Sequence, residues 1–464
     1  MKNEVISDNI ELESSGEAEP SPEEQILFKG LHFQRWININ MVRIFFVLWI
    51  SVSLVALVPL LRPAVSVTEK RELHKFPSFS FSALFSGNYF SDIGLWYSDT
   101  FPLRDTLTEL NGRMKYILGA GGEEIHGEVI SAESGAEQLP DTQIRAEQGP
   151  EIQSEPEPEV VVEQLGAIAI IDNAGYEYYN FNKEAADIYI SAVNRAADLL
   201  VGKARVFNTV IPTSIAVTLD QRTASRLNSS DQKAAMDYIN SNLSQNAVSV
   251  DSYGILSQHK DEYIYFRTDH HWTALGAYYS YTKLMNAAGL VPADLSLFKE
   301  YIFGGFLGTF YATSKMSPKL GNTPDTVYAY EPPGLKYIHT YESGYEKDYR
   351  IVSNGDDLTS SEKYLTFVCG DHPLGVVVNE QIADNSSCLI IKESFGNPMI
   401  SYFTQNYHTT FVIDYRKIRS VYGGNLITFV EEHAVNDVYF INNISATRSP
   451  KLTGKISDFV PQIQ

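Results

Sequence analysis

Phe266-Arg267-Thr268-Asp269-His270-His271-Trp272-Thr273 lies between an aromatic, strand-like run over residues 263–266 and a helix-like run over residues 274–288. The stretch reads as a strand-to-helix junction. In α/β sheets such junctions sit at the mouth of the sheet, where ligands bind. Three titratable side chains stand here beside a tryptophan. Residues two apart in an extended chain share a face, so Asp269 and His271 are expected to point together and His270 away. Either the histidines are hydrogen-bonded structural residues, or Asp269 orients His271 as a general base.

A base needs a nucleophile. Leu389-Ile390-Ile391-Lys392-Glu393-Ser394-Phe395-Gly396-Asn397-Pro398 reads as a buried strand, a tight turn and a helix, with Ser394 where the strand ends. A serine there presents its hydroxyl, and turn N–H groups behind it can form an oxyanion site. Gly396 and Asn397 alone mark only a turn. Ser394 together with Asp269 and His271 is more specific, because nucleophile, base and orienting carboxylate are all present.

Asp269-His270-His271-Trp272 resembles the signature of the DHHW protein family of Gram-positive bacteria. That family is similar to the SGNH-type domains of alginate O-acetylation proteins, in which an Asp-x-His-Trp element precedes the serine turn, as here. Arg267-Thr268, Gly276-Ala277-Tyr278-Tyr279, Phe306-Leu307-Gly308-Thr309, Ile413-Asp414-Tyr415-Arg416 and Val438-Tyr439-Phe440-Ile441-Asn442-Asn443 fit the same resemblance, which runs from about residue 69 to about residue 446. One departure stands out. Ordinary SGNH enzymes carry Asp-x-x-His, whereas the residue three after Asp269 is Trp272.

The resemblance implies an SGNH-hydrolase-like α/β domain with a Ser394, His271 and Asp269 triad. It implies extracytoplasmic acyl (acetyl) transfer to a hydroxyl of a cell-surface polysaccharide, with a membrane-bound O-acyltransferase partner as acyl donor. With water as acceptor the same triad is a carbohydrate esterase. A non-catalytic glycan-binding or envelope-assembly protein is the remaining alternative. Asn397 is the expected side-chain donor to the oxyanion. Arg416 and Asn443, which follow predicted strands, and Arg267, His270 and Trp272, in the motif itself, are the other residues expected around the site. No cofactor is expected. Adjacent histidines on a strand rarely chelate one ion, so no metal site is expected.

The 464 residues carry a net charge of −21, unevenly placed. Residues 1–28 set Lys2 against eight acids and residues 121–164 set Arg145 against twelve, which leaves about −3 for the remainder. No basic face suggests nucleic acid. Residues 1–28 read as a disordered acidic cytoplasmic tail. Residues 44–61 carry no charge and are flanked by Arg43 and Arg62. A bilayer core takes about 20 apolar residues, roughly 17 at the least. About 40 residues precede the run, too many for a cleaved signal peptide. It therefore reads as a transmembrane signal anchor. The flanking lysines and arginines do not fix its orientation. A single anchor near the start, together with the resemblance, places the N-terminus in the cytoplasm and the main domain outside, at the cell membrane.

Residues 69–118 read as a membrane-proximal segment packing on the main domain, and residues 121–164 as an acidic flexible insertion. The α/β domain is expected over residues 165–450. Its βαβα alternation predicts a mostly parallel sheet flanked by helices. Strands are expected over 167–172, 206–211, 248–250, 364–369, 389–391, 410–414 and 438–441, with an irregular, tyrosine-rich stretch over 289–357. Cys369 and Cys388 fall at opposite ends of predicted neighbouring strands, so no disulfide is expected between them.

Overall fold

A computed structural model describes residues 39–47, 50–51, 62–66, 71–86, 88–117, 124–126, 167–224, 226–227 and 229–462. Of the uncharged run 44–61, residues 44–47 and 50–51 are helical; the rest of that run, and the acidic tail 1–28, lie outside the described residues. Among the described residues no helix is long and apolar enough to cross a membrane.

The chain divides into two units. One comprises residues 1–64 and 73–104. It holds the helices Phe81–Ser86 and Asn88–Asp99, and the end of the second carries part of a small polar cluster. There the Arg62 guanidinium lies 3.9 Å from the Trp96 ring and donates to Thr100. His74 contacts the Asp99 carboxylate at 2.7 Å.

The other unit comprises residues 65–72 and 105–464. Eight of its strands form one sheet: β1 (Arg205–Ile211), β2 (Ala247–Ser249), β3 (Lys336–Thr340), β4 (Glu346–Tyr349), β5 (Leu374–Val378), β6 (Ser387–Lys392), β7 (Thr409–Asp414) and β8 (Asp437–Asn443). Across the sheet the order is β4-β3-β5-β7-β6-β8-β1-β2. Strands β7, β6, β8, β1 and β2 run parallel. Strands β5, β3 and β4 join antiparallel beyond β7. The sheet is thus mixed, where the alternation predicts a mostly parallel one. Strands β3 and β4 are linked by only residues 341–345. A parallel pair needs a crossover of a dozen or more residues.

The central strands β6 and β8 are buried along their whole length, with apolar middles, because both faces are covered. On β6, Cys388 and Ile390 enter one core and Leu389 and Ile391 the other; β8 divides Tyr439 and Ile441 from Val438 and Phe440 in the same way. Helix α1 (Lys183–Leu199), capped by Asn182, puts Tyr189, Val193 and Ala196 into the second core. Helix α2 (Ala274–Ala287), capped by Thr273, puts Ala277, Tyr281 and Leu284 into the first. After β6 the chain passes to β7 on one side and then to β8 on the other. The carboxyl end of β6 is therefore a topological switch point, where α/β sheets open a crevice.

Other expectations shift. Residues 364–369 form no strand: a 3-10 turn, Lys363–Thr366, precedes Val368 and Cys369, whose φ angles of 48° and 59° lie outside the range a strand uses. Residues 263–266 belong to a loop closed by a single antiparallel bridge between Tyr265 and Trp272. Strand Ile168–Ile171 pairs with Glu124–His126 and Ala174–Glu177 in a separate three-stranded sheet. Residues 124–126 fall in the segment read as a flexible insertion; most of its remainder lies outside the described residues. The stretch 289–357 holds a hairpin of Lys299–Phe306 and Asp325–Glu331 besides β3 and β4. Cys369 and Cys388 are both free thiols.

Buried charge gathers where β6 and β7 end. Lys392 is 1% exposed, with Nζ 3.1 Å from Asp371 and 3.7 Å from Asp414. Arg416 donates to both Asp414 and Asp371. Burial would raise the Asp371 carboxyl, but Arg416, Lys392 and the Asn397 amide hold it well below its ordinary value. Removing one member strands its partners in a poorly solvated place. Lys392→Met is therefore expected to cost about 3–5 kcal/mol in urea denaturation. A Lys392→Met/Asp371→Asn double variant is expected to recover part of that loss.

Candidate active site

Strand β6 delivers the chain to Glu393 in extended backbone, and a 3-10 segment, Ser394–Met399, follows. The bend is tight. A Cβ on Gly396 would stand 2.6 Å from the Lys392 Cβ, so only glycine fits. Two side chains clamp this turn from outside. The fully buried Trp272 indole donates to the Phe395 carbonyl at 2.7 Å, and the Tyr364 hydroxyl donates to the Ser394 carbonyl at 2.8 Å.

His271 Nε2 lies 2.8 Å from Ser394 Oγ, and His271 Nδ1 lies 2.6 Å from Asp269 Oδ1. A carboxylate only accepts, so Nδ1 carries the proton and the Nε2 lone pair faces the serine hydroxyl. The imidazole is held flat by the Tyr364 ring, 3.8 Å away and nearly parallel. Asp269 is itself fastened. Its Oδ1 also accepts from the His271 N–H, and its Oδ2 accepts from the Thr309 N–H and hydroxyl. Thr309 opens the short helix Thr309–Thr313. Gly308 lets that helix approach, since a Cβ there would lie 2.2 Å from Asp269 Oδ2. Burial alone would raise the Asp269 carboxyl; the His271 and His270 imidazoles, with hydrogen bonds from His271 and Thr309, hold it far below the usual carboxylate range. Ser394, His271 and Asp269 are 6%, 5% and 2% exposed, so the arrangement is nearly closed.

The other expected residues take different places. His270 does not point away: its ring lies 3.7 Å from that of His271, and its Nδ1 lies 2.7 Å from the Thr309 hydroxyl. Trp272 is a clamp. Arg267 sits outside the triad, with Nε donating to Asp325. Asn397 turns its amide nitrogen to Asp371, 2.9 Å away, and not to Ser394. The Phe395 N–H donates to Glu393 Oε2 at 2.9 Å. The oxyanion donors expected in the side chain of Asn397 and in this turn N–H are thus already engaged by carboxylates. Arg416 belongs to the ion cluster described above. The Asn443 side chain caps the 3-10 turn Ile444–Arg448, and its N–H donates to Glu393 Oε1.

The ligand atoms of Asp269, His270 and His271 lie within 4.8 Å of one another. Both His271 nitrogens, however, already face partners, and four donors meet Asp269, so this donor set is a hydrogen-bond relay and does not fit a metal ion. Sequence reasoning missed Glu393, Tyr364, Gly308, Thr309 and Asp325. Asp325 is fully buried and takes the Arg267 and Thr268 N–H groups together with the Thr268 and Tyr263 hydroxyls. Phe306-Leu307-Gly308-Thr309 stood out in the sequence, and its glycine was the available signal for a close approach.

A serine hydrogen-bonded to a neutral imidazole, itself held by a buried carboxylate, can act as a covalent nucleophile. A protein-family model described as DHHW protein matches residues 69–155 and 151–413. Among solved structures, a DHHW family protein from Eubacterium siraeum is 25% identical, covering 64% of this chain and 96% of its own, with a TM-score of 0.57. Bacillus cereus PatB1, solved with a sulfonyl adduct, is 15% identical, covering 63% of this chain and 98% of its own, with a TM-score of 0.53. That likeness is one of fold. The O-acetyltransferase domain of Pseudomonas putida AlgJ is 11% identical over 62% of this chain and 96% of its own, with a TM-score of 0.33. A search among curated proteins found no match.

Ser394 is expected to react with phenylmethylsulfonyl fluoride, and Asp269→Asn to slow that reaction by about 10⁴-fold through loss of the correct tautomer. Gly308→Ala, which pushes against Asp269, is expected to slow it as well. A carboxyl with a depressed folded value keeps its stabilising role above its unfolded value of about 3.9 and loses it only as pH falls through the folded value. Asp269 therefore stays ionised through the working range. The acid limb of the rate against pH is expected to have the slope of one proton, that of the imidazole.

Proposed function

The chain belongs to the DHHW protein family, and from that premise we propose that it transfers an acyl group, acetyl in the simplest case, to a hydroxyl of a cell-surface polysaccharide. The observation that carries this reading is the unbroken line from Asp269 through His271 to Ser394 Oγ. Ser394 attacks the donor carbonyl while His271 Nε2 takes the hydroxyl proton and then passes it to the leaving group. The acyl group rests on Ser394 as an ester. A sugar hydroxyl gives its proton to the same nitrogen and attacks the ester, and Nε2 returns that proton to the Ser394 oxygen as it leaves. Asp269 keeps Nδ1 protonated throughout and balances the imidazolium that forms.

The setting belongs to the same proposal. Residues 44–61 anchor the chain in the cell membrane with the N-terminus in the cytoplasm and the catalytic unit outside. A membrane-bound O-acyltransferase hands over the acyl group. Residues 69–118 join that anchor to the main domain. The composition supports this arrangement: an uncharged run of bilayer length precedes a nearly neutral folded part.

The test is covalent capture. The full chain incubated with p-nitrophenyl acetate is expected to gain one acetyl group by intact mass. The gain should vanish in Ser394→Ala and slow by about 10⁴-fold or more in His271→Ala. A folded wild type that gains nothing would overturn the reading.

A further inference from the structure

The acyl-transfer scheme leaves Glu393 unused, although it adjoins the nucleophile. Its side chain is 1% exposed. Oε1 accepts the Asn443 N–H at 2.8 Å and Oε2 the Phe395 N–H at 2.9 Å, so the carboxylate joins the ends of β6 and β8. Oε2 also lies 3.3 Å from Ser394 Oγ. The serine hydroxyl thus stands between two acceptors, His271 Nε2 at 2.8 Å and Glu393 Oε2 at 3.3 Å. The two N–H bonds keep the carboxylate in place without help from the serine.

Resting on the acyl-transfer reading, we propose that Glu393 is a second positioning carboxylate of the nucleophile. It sets the direction of the Ser394 hydroxyl, and its fixed charge favours the imidazolium that His271 becomes when Ser394 gives up its proton. A negative charge one hydroxyl away from the imidazole, in a site nearly closed to water, acts with little screening. Its direction is definite: it raises the pH at which His271 loses its proton. A purely structural clamp would shape the turn without moving that pH.

Other charged or titratable groups surround the pair. Asp269 and His270 come from the motif loop, Tyr364 stacks on His271, and Tyr189 of α1, whose hydroxyl pairs with Asn208 and Asn442, feels the Glu393 charge. Lys392, next in sequence, is committed to Asp371 and Asp414 beside Arg416. His270 is the second imidazole in range, so the comparison needs a His270→Gln background as well.

The experiment measures phenylmethylsulfonyl fluoride labelling of Ser394 against pH in the full chain. Glu393→Gln is expected to move the midpoint of the acid limb down by about half a pH unit or more and to lower the plateau, with the same shift in the His270→Gln background. A reactive wild type whose midpoint Glu393→Gln leaves in place would overturn this inference alone. A wild type inert at Ser394 overturns the acyl-transfer reading and this inference with it. Should Glu393→Gln fail to fold, the wild type decides. The Phe395 amide proton, which donates to Glu393, is expected to shift where the His271 imidazole titrates, because coupled groups report each other's protonation. An amide shift that passes through that pH without an inflection overturns the proposal.

Discussion

The contact between His271 Nε2 and Ser394 Oγ spans 123 residues of chain and closes to 2.8 Å. A hydrogen bond weakens steeply with small errors of distance and angle, so both ends must be held by more than themselves. The next residue on each side supplies the first restraint: Trp272 donates to the Phe395 carbonyl, a second bond across the same interval. Tyr364 adds another, stacking on the imidazole and donating to the Ser394 carbonyl. Gly308 and Thr309 hold Asp269 from a third segment. Four stretches distant in sequence therefore meet at the switch point beside β6.

Much of the backbone around this point is irregular, and buried carboxylates are what hold it. Asp269 takes N–H groups of His271 and Thr309, Asp325 those of Arg267 and Thr268, and Glu393 those of Phe395 and Asn443. Asp414 takes the Arg416 N–H together with its guanidinium. A buried charge is costly unless hydrogen-bonded, and a buried loop N–H is costly unless accepted. Pairing the two offsets both costs at once. It also binds each loop at a fixed angle, which a loop without secondary structure cannot obtain from ladder bonds. The same economy explains why so many acids sit inside a part of the chain that is nearly neutral.

The parallel half of the sheet was legible because both of its faces are buried. Continuous apolar runs such as Leu389-Ile390-Ile391 have no other use in a strand of that length. The antiparallel edge was not legible. Strand β3 (Lys336-Tyr337-Ile338-His339-Thr340) is mixed and β4 (Glu346-Lys347-Asp348-Tyr349) mostly charged, inside a stretch whose glycines and tyrosines gave no period. Residues 364–369 misled for the opposite reason. Their apolar content is that of a strand, but they pack under His271 as a turn, with Tyr364 and Phe367 facing the core. Local composition records burial and does not record the backbone path that achieves it.

What the sequence determined by itself was chemical and local: the residue types at Ser394, His271 and Asp269, and the i, i+2 spacing that lets one carboxylate reach the imidazole beside it. Those follow from residue type and chain geometry over a few bonds. What tertiary structure decided was every role that depends on a partner far along the chain. Asn397 had the chemistry of an oxyanion donor, yet its amide is drawn to Asp371; Glu393 looked like an ordinary acid, yet it sits against the Ser394 hydroxyl. A hydrogen-bonding side chain goes to whichever partner the fold brings within about 3 Å, and that competition is settled only when the strands have set their register.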